Sequence, residues 1–213
     1  DWFTMLAPAS DTGIIAEDEL AALREDMTPE EYAQEFECNP DAAIRGAYFG
    51  KELASGSIGD VPVDEAVPVH TAWDLGVGDA TAVWFFQVVG ADVHVVDHYE
   101  AHGHGLPHYA AMLAARGYTY GTHYLPHDAR ARDLGTGRTR VETFRQLTGQ
   151  MPTTLPQGNV MDGINAARLT IPKCRFDATR CADGLEALRQ YRADWDDKAR
   201  TFRDAPKHDW TSH

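Results

Sequence analysis

The order of predicted elements, three β-type segments followed by alternating helices and strands, most constrains how this chain can fold. Val, Trp, Phe and Tyr are concentrated in three successive segments, Pro68–Gly76, Ala80–Gly90 and Ala91–Glu100. Gly90 followed by Asp92 favours a tight turn, so the second and third segments are predicted to form a hairpin. The chain is therefore predicted to begin its sheet with a three-stranded antiparallel meander.

The segments that follow the meander alternate between helical and strand periodicity. In chain order they are a helix at Leu106–Arg116, a strand at Tyr118–Leu125, a helix at Thr139–Leu147, a strand at Met151–Leu155, and helices at Val160–Leu169 and Thr179–Arg192. A strand that follows a helical crossover joins the sheet in the parallel direction. We therefore predict an α/β fold with a mixed five-stranded sheet and helices on both of its faces.

The N-terminal part of the chain differs from the rest in charge and in pattern. Residues 1–65 carry 16 acidic and 3 basic side chains, whereas the remaining residues carry 17 and 16. Asp11–Phe36 has helical spacing of its apolar residues, and Leu53–Pro68 is rich in Gly, Ser, Asp and Pro, which is typical of a linker. We predict an acidic helical connector at 1–62 and an α/β domain at 63–213.

Composition indicates a protein of the cytoplasm. The longest apolar run, at Thr81–Gly90, is about half as long as a membrane-spanning helix requires, and no secretory signal pattern is visible. Cys38, Cys174 and Cys181 lack the paired spacing of a zinc site and are expected to be buried, unreactive thiols.

Aspartates stand at two strand ends that this order of elements brings together. Asp74 ends the first strand and Asp128 follows the fourth, while Asp79 lies just past the first strand and Asp209 near the end of the chain. The fourth strand is expected to lie parallel beside the first, with both carboxyl ends at one edge of the sheet. Ligands of open α/β sheets bind at such an edge.

Carboxylates gathered in this way are typical of a site for hard divalent cations. Mg²⁺ and Mn²⁺ prefer oxygen ligands, and two such ions together can activate a water and stabilise the leaving oxygen of a phosphodiester. Asp74, Asp128 and Asp209 are therefore the candidate catalytic and metal-binding residues. Each aspartate alone is equally typical of a turn or a helix cap, so the prediction depends on their joint placement.

Basic residues interspersed with glycine follow Asp128 directly. Arginine pairs with phosphate oxygens, and glycine allows close approach of a backbone. The candidate DNA-binding residues are Arg130, Arg132, Arg138 and Arg140. A solvated loop would have a similar composition. His127 and His208, each next to a candidate ligand, are predicted to assist by orienting ligands or transferring protons.

Five segments carry a resemblance to a known family, the large subunits of phage terminases. His70–Asp79 resembles the first nuclease motif of that family, Tyr124–Ala129 the second, and His208–His213 the start of the third. Glu35–Cys38 and Gly184–Tyr191 are also similar to family segments. The motifs occur in the family's order and span nearly the whole chain.

The resemblance implies a ribonuclease H-like fold and a metal-dependent endonuclease that cuts concatemeric viral DNA during genome packaging. It implies Asp74 and Asp128 as the first two ligands of a two-metal site and Asp209 as the third. His213 competes for the third position, because that ligand lies in a helix that can bear further acids or a histidine. Asp79 is a further candidate ligand. The chain is expected to stop within that helix.

The resemblance also implies partners. Double-stranded DNA is the expected substrate, and a terminase ATPase domain, the portal and the small terminase subunit are the expected protein partners in the host cytoplasm. No G-x-x-x-x-G-K-[ST] loop occurs in the chain, so ATP hydrolysis is not expected of it. Two alternatives keep the fold: a Holliday-junction resolvase or transposase-type nuclease, and a catalytically silent interaction module of the packaging motor.

Overall fold

The computed structural model describes residues 7–27, 32–33, 35–38, 45–76, 80–196 and 198–212. These residues form two compact units. One consists of the described residues up to Ala54 together with Leu188–Ser212, and the other of Ser55–Ala187. The division of function at residue 62 remains a prediction.

The larger unit is built on a mixed sheet of seven strands, in the order β1-β7-β4-β3-β2-β5-β6 among the described residues. The strands of the chain are β1 Ser57–Gly59, β2 Val69–Asp74, β3 Ala80–Val89, β4 Asp92–His102, β5 Tyr120–Leu125, β6 Thr153–Thr154, β7 Cys174–Asp177, β8 Ala193–Asp196 and β9 Thr201–Pro206. The last two form a separate antiparallel ribbon in the smaller unit.

The described helices are short. They are α1 Ala9–Thr12, α2 Glu17–Asp26, α3 Gly50–Ser55, α4 Leu106–Arg116, α5 Arg140–Thr148, α6 Val160–Thr170 and α7 Ala182–Gln190. The two longest of these have 11 residues each, and within the described part of the chain no helix is long and apolar enough to cross a membrane.

The predicted meander is confirmed. β3 pairs antiparallel with both β2 and β4, and the β3–β4 hairpin turns at Gly90, whose φ of 64° suits a residue without a Cβ. Val83 and Phe85 of the central strand are fully buried, together with Val96 of β4. Alternate residues of these strands thus build the core on one face of the sheet.

The predicted crossover is also confirmed. Helix α4 carries a proline in its first turn and ends at Gly117, which has a φ of 67°. Its buried side chains, Tyr109, Met112 and Leu113, belong to the sheet's core cluster. The chain then enters β5, which lies parallel beside β2.

The sheet contains two more strands than the five predicted. β1 pairs parallel with β7, which in turn pairs parallel with β4. Leu53–Pro68 is therefore not only a linker: it contributes β1, and Val61 is buried and donates its backbone N–H to Asp177 Oδ2 at 3.2 Å. Strands of three and four residues are too short to show a period, and these two pair across more than 100 residues of chain.

The smaller unit holds its ribbon together with aromatic contacts. Trp195 of β8 and Phe202 of β9 meet with ring centroids 4.9 Å apart, and the Arg45 guanidinium lies 5.1 Å from the Trp195 centroid. Gly46, with a φ of 79°, passes so close to Phe202 that a Cβ there would lie 2.5 Å from the ring. A glycine is therefore required at this point of the unit.

Two of the three cysteines are confirmed as buried thiols, and Cys38 is half-buried. Burial raises the pKa of the Cys174 thiol to about 11. It raises the pKa of Cys181 to about 12, although a hydrogen bond from the backbone acts against that change. Thiols with such pKa values remain protonated and weakly nucleophilic at neutral pH.

Candidate metal centre

Asp74 is the last residue of β2 and its side chain is exposed. The residues of β2 alternate: Val69, Thr71 and Trp73 are buried, and Asp74 belongs to the opposite face. Trp73 fixes the end of the strand by packing edge-on against Phe144 of α5, at a centroid distance of 5.5 Å. The carboxylate at position 74 therefore extends from a strand end that is anchored by a buried neighbour.

Asp128 lies just beyond β5. Leu125 at the end of β5 is fully buried, and the chain then forms a 3₁₀ turn at His127–Arg130 after Pro126. Ala129 within the turn is fully buried and donates its N–H to the Pro126 carbonyl at 3.1 Å. These contacts fix the backbone at Asp128, whose side chain remains 44% exposed.

The two aspartates stand at the same edge of the sheet. β2 and β5 are parallel neighbours, and Ala72 is paired in register with Tyr124. Asp74 follows Ala72 by two residues and Asp128 follows Tyr124 by four, so both come after the paired segment in the same chain direction. The strand arrangement on which the metal-site prediction depends is thus present, while the ligand roles themselves stay a prediction.

A buried polar network lies directly behind this edge. The Thr71 hydroxyl accepts a hydrogen bond from Trp73 Nε1 at 2.6 Å and lies 2.7 Å from His123 Nδ1. Burial lowers the pKa of His123, although a hydrogen bond with Gln150 acts in the opposite direction. The sequence analysis did not identify Thr71 and His123, because polar residues within a strand are normally assigned to its solvent face.

The candidate DNA-binding arginines form one loop and helix start after Asp128. Arg140 Nη1 donates to Asp128 Oδ2 at 3.0 Å. Arg130 Nε donates to Thr154 Oγ1 at 2.6 Å. Arg132 donates to a carbonyl of the loop and Arg138 to Gln146, both neutral acceptors. The arginines are thus held near the sheet edge, and one of them is paired with a candidate metal ligand.

A cleft of about 530 Å³ opens beside this edge. It lies between the end of β2, the loop before α4, and the arginine loop with the start of α5. Its lining includes Leu75, Thr81, His104, Tyr109, Arg138 and Arg140. A cavity of this size can hold a few nucleotides' worth of atoms at most, and it is open to solvent along one side.

Asp209 belongs to the smaller unit, where its carboxylate organises a turn. It accepts from Thr211 Oγ1 at 2.7 Å and from the Thr211 N–H at 3.0 Å, and it lies 3.3 Å from Lys207 Nζ. Burial would raise its pKa, but these hydrogen bonds and the lysine outweigh that effect, so the pKa of Asp209 is lowered. The carboxylate is therefore ionised, as a metal ligand must be.

The remaining predicted residues are placed less closely. His127 is exposed, and His208 Nδ1 lies 2.9 Å from Ser212 Oγ. Asp79 and His213 lie outside the described residues.

The donor set fits a hard divalent cation. Asp74 and Asp128 offer carboxylate oxygens, which suit Mg²⁺ or Mn²⁺ rather than metals that prefer thiolate or imidazole. Among the residues that the structure describes, no three His, Cys, Asp or Glu side chains are grouped so as to hold a metal ion together. Two neighbouring carboxylates that leave positions for water and phosphate agree with the way Mg²⁺ is commonly held.

No protein-family profile matches the sequence. No curated protein matches it either.

Solved structures match the fold over most of the chain. The nuclease domain of the P22 large terminase has a TM-score of 0.53 and 14% identity, over 75% of this chain and 84% of that domain. The large terminase nuclease of thermophilic phage G20c with bound magnesium has a TM-score of 0.52 and 13% identity, over 73% of this chain and 85% of that one.

A complete large terminase from another thermophilic bacteriophage, solved with ADP, has a TM-score of 0.58 and 13% identity. The match covers 96% of this chain and 50% of that one, so the chain spans about half the length of that terminase. The predicted fold class, a ribonuclease H-like mixed sheet flanked by helices, is confirmed by these likenesses and by the topology.

Proposed function

We propose that this chain is the nuclease portion of a terminase large subunit, which cuts concatemeric viral DNA during phage genome packaging. The observation that supports this function is the pair of parallel strand ends that bring Asp74 and Asp128 to one edge of the sheet. The likeness of the fold to terminase nuclease domains supports the same activity.

In the proposed reaction Asp74 and Asp128 hold Mg²⁺ or Mn²⁺, and Asp209 supplies the third carboxylate, with Asp79 and His213 as further candidates. A pair of such cations, when bound, supplies an activated water and stabilises the leaving oxygen of a phosphodiester. The carboxylates would repel one another without a cation, which is a cost that a functional site can justify. The magnesium in the G20c nuclease supports the choice of a hard cation.

The chain's other residues bind and orient the substrate. Arg130, Arg132, Arg138 and Arg140 bind phosphates of double-stranded DNA on either side of the scissile bond. His127 and His208 stand next to proposed ligands and orient them or carry a proton. The buried Thr71–His123 contact keeps the two strand ends in register while charge accumulates at the edge.

The rest of the packaging machine contributes through other surfaces. Residues 1–62 act as an acidic connector to the terminase ATPase domain, and the nuclease occupies 63–213. The portal and the small terminase subunit are the further proposed partners, and the work is done in the host cytoplasm. Because the chain spans about half of a complete large terminase, the motor activity belongs to a different part of such an enzyme.

Cleavage of supercoiled plasmid tests this function. With Mn²⁺ the wild-type chain should nick and linearise the plasmid, and EDTA should prevent it. Asp74→Asn should lower the rate about 100-fold or more, because loss of a ligand exceeds the loss seen when residues around a metal site are changed. Asp162→Asn, an exposed aspartate on α6, is the matched control and should cut at the wild-type rate.

Two outcomes would contradict the proposal. Equal cutting by Asp74→Asn and wild type would remove the metal centre from this sheet edge. A folded wild-type chain that neither cuts nor gains thermal stability with Mn²⁺ would favour the silent interaction module. Strong preference for a four-way junction over linear duplex would identify a resolvase instead.

A further inference from the structure

Arg140 stands at a position where two binding events meet. Its Nη1 donates to Asp128 Oδ2 at 3.0 Å and lies 3.4 Å from the Asp128 carbonyl oxygen. Arg140 is the first residue of α5, and a capping box between Thr139 and Glu142 fixes the start of that helix. A side-chain cation thus neutralises one of the two carboxylates proposed as metal ligands.

Arg140 and a divalent cation require the same atoms. A cation on the Asp128 carboxylate takes up its oxygen lone pairs and repels a guanidinium a few ångströms away. The ion pair is open to solvent, with side chains 31% and 44% exposed, so it is weak and separates without loss of core packing. Metal binding at Asp128 therefore displaces Arg140.

The cleft next to the sheet edge offers the displaced guanidinium no carboxylate in exchange. Asp133 is the single acidic residue among the described residues that line the cleft. Its Oδ1 already accepts hydrogen bonds from the backbone N–H groups of Gly135 at 2.9 Å and Thr136 at 2.8 Å. With Arg138 also in the lining, the cleft fits an anion.

The walls of the cleft favour a phosphodiester over a small free anion. Leu75, Leu106, Pro107 and Tyr109 provide an apolar wall, which suits sugar and base surfaces. The two arginines provide donors whose geometry matches phosphate oxygens. Because Leu75 and Gly76 directly follow Asp74, a strand bound in the cleft would bring a phosphate to the proposed metal ligands.

We propose that Arg140 exchanges partners during loading of the site. It pairs with the Asp128 carboxylate when no cation is present, and with a backbone phosphate of a DNA strand in the cleft once a divalent cation occupies Asp128. This inference rests on the proposed function, since it takes Asp128 as a metal ligand and DNA as the substrate. Binding of metal and binding of DNA then favour each other reciprocally.

Calorimetric titration with Mn²⁺ in the absence of DNA tests the first half of the exchange. Arg140→Gln should bind Mn²⁺ about three- to tenfold more tightly than wild type, because a competing positive charge is gone. Arg145→Gln removes the same charge from an exposed position of α5 and should stay within about twofold of wild type. Arg140→Lys keeps the charge and should also stay within about twofold of wild type.

Binding of a short duplex DNA in Ca²⁺, a hard cation of the same charge, tests the second half. Arg140→Gln should bind the duplex about three- to tenfold more weakly than wild type, and Arg145→Gln should lose less. Tighter metal binding combined with weaker DNA binding is the expected signature. Damage to the fold would weaken both, so it cannot produce that result.

The outcomes separate this inference from the proposed function. If wild type binds Mn²⁺ and cuts DNA, but Arg140→Gln binds Mn²⁺ no more tightly, the exchange is wrong and the nuclease stands. If Arg140→Lys gains Mn²⁺ affinity as Arg140→Gln does, charge competition is wrong. If wild type binds no Mn²⁺ and behaves like Asp74→Asn, the proposed function fails and the exchange fails with it.

Discussion

Thr71 and His123 belong to adjacent parallel strands, and their contact links β2 to β5 just behind Asp74 and the turn that carries Asp128. Both side chains are almost fully buried. Polar atoms at this depth stabilise a fold only when their hydrogen bonds are satisfied, and here Trp73 completes the set. Alternation of apolar and polar residues predicts which residues form a strand, but it does not predict that a histidine will face the core.

Two buried histidines make stability depend on pH. Burial lowers the pKa of His123, and it also lowers the pKa of His98, where Asp183 and Asp97 only partly oppose the effect. The unfolded chain, with an ordinary pKa near 6.5, therefore binds more protons than the folded chain below that pH. The stabilisation is complete above pH 6.5 and is lost as the pH falls towards the lowered values.

Urea unfolding at pH 7.5 and 5.5 measures this effect. The free energy of unfolding should fall by up to about 1.4 kcal/mol for each pH unit below 6.5 and each histidine that stays neutral when folded. His98→Gln should show a smaller loss between the two pH values than wild type. His102→Gln, a change at an exposed position of the same strand, should retain the wild-type loss, and an identical loss in both variants would refute the assignment.

At the scale of elements, the sequence predicted the parts that show a clear period. The meander, the hairpin turn and the crossover through α4 into β5 follow from apolar patterning and from glycine at the turns. β1 and β7 were missed because they are short and pair with each other across a long stretch of chain. Pairing between distant segments is set by tertiary packing, which a local pattern does not contain.

Helix α7 packs against the sheet through a glycine. A Cβ on Gly184 would lie 2.5 Å from the Trp84 ring and 2.8 Å from the His98 ring. Gly184→Ala should therefore lower the free energy of unfolding by about 1 to 3 kcal/mol, the usual cost of an overpacked core. Urea denaturation measures the change.

Gly163 of α6 is the matched control, because a Cβ there would meet no atom within 4 Å. Gly163→Ala should raise stability by about 0.5 to 1 kcal/mol, since alanine is the better helix former. A Gly184→Ala variant that is stabilised to the same extent would contradict the close packing of α7 on the sheet.

At the scale of the whole molecule, the charge is unevenly distributed. The net charge of −14 arises almost entirely from residues 1–65, while the cleft beside Asp128 is lined by arginines. An overall acidic chain can thus present a local site for an anionic strand. The sequence predicted the two aspartates and the arginines near them, but not the pairing of Arg140 with Asp128, because that contact depends on how the intervening loop folds back.

The central claim is that the edge of the sheet at Asp74 and Asp128 is a divalent-metal centre, and a crystal soaked in Mn²⁺ tests it most directly. The anomalous difference map should show a peak within about 2.0 to 2.5 Å of carboxylate oxygens from both aspartates. The Arg140 guanidinium should have moved away from Asp128. Manganese bound only elsewhere, with Arg140 still paired to Asp128 in an accessible site, would contradict the account.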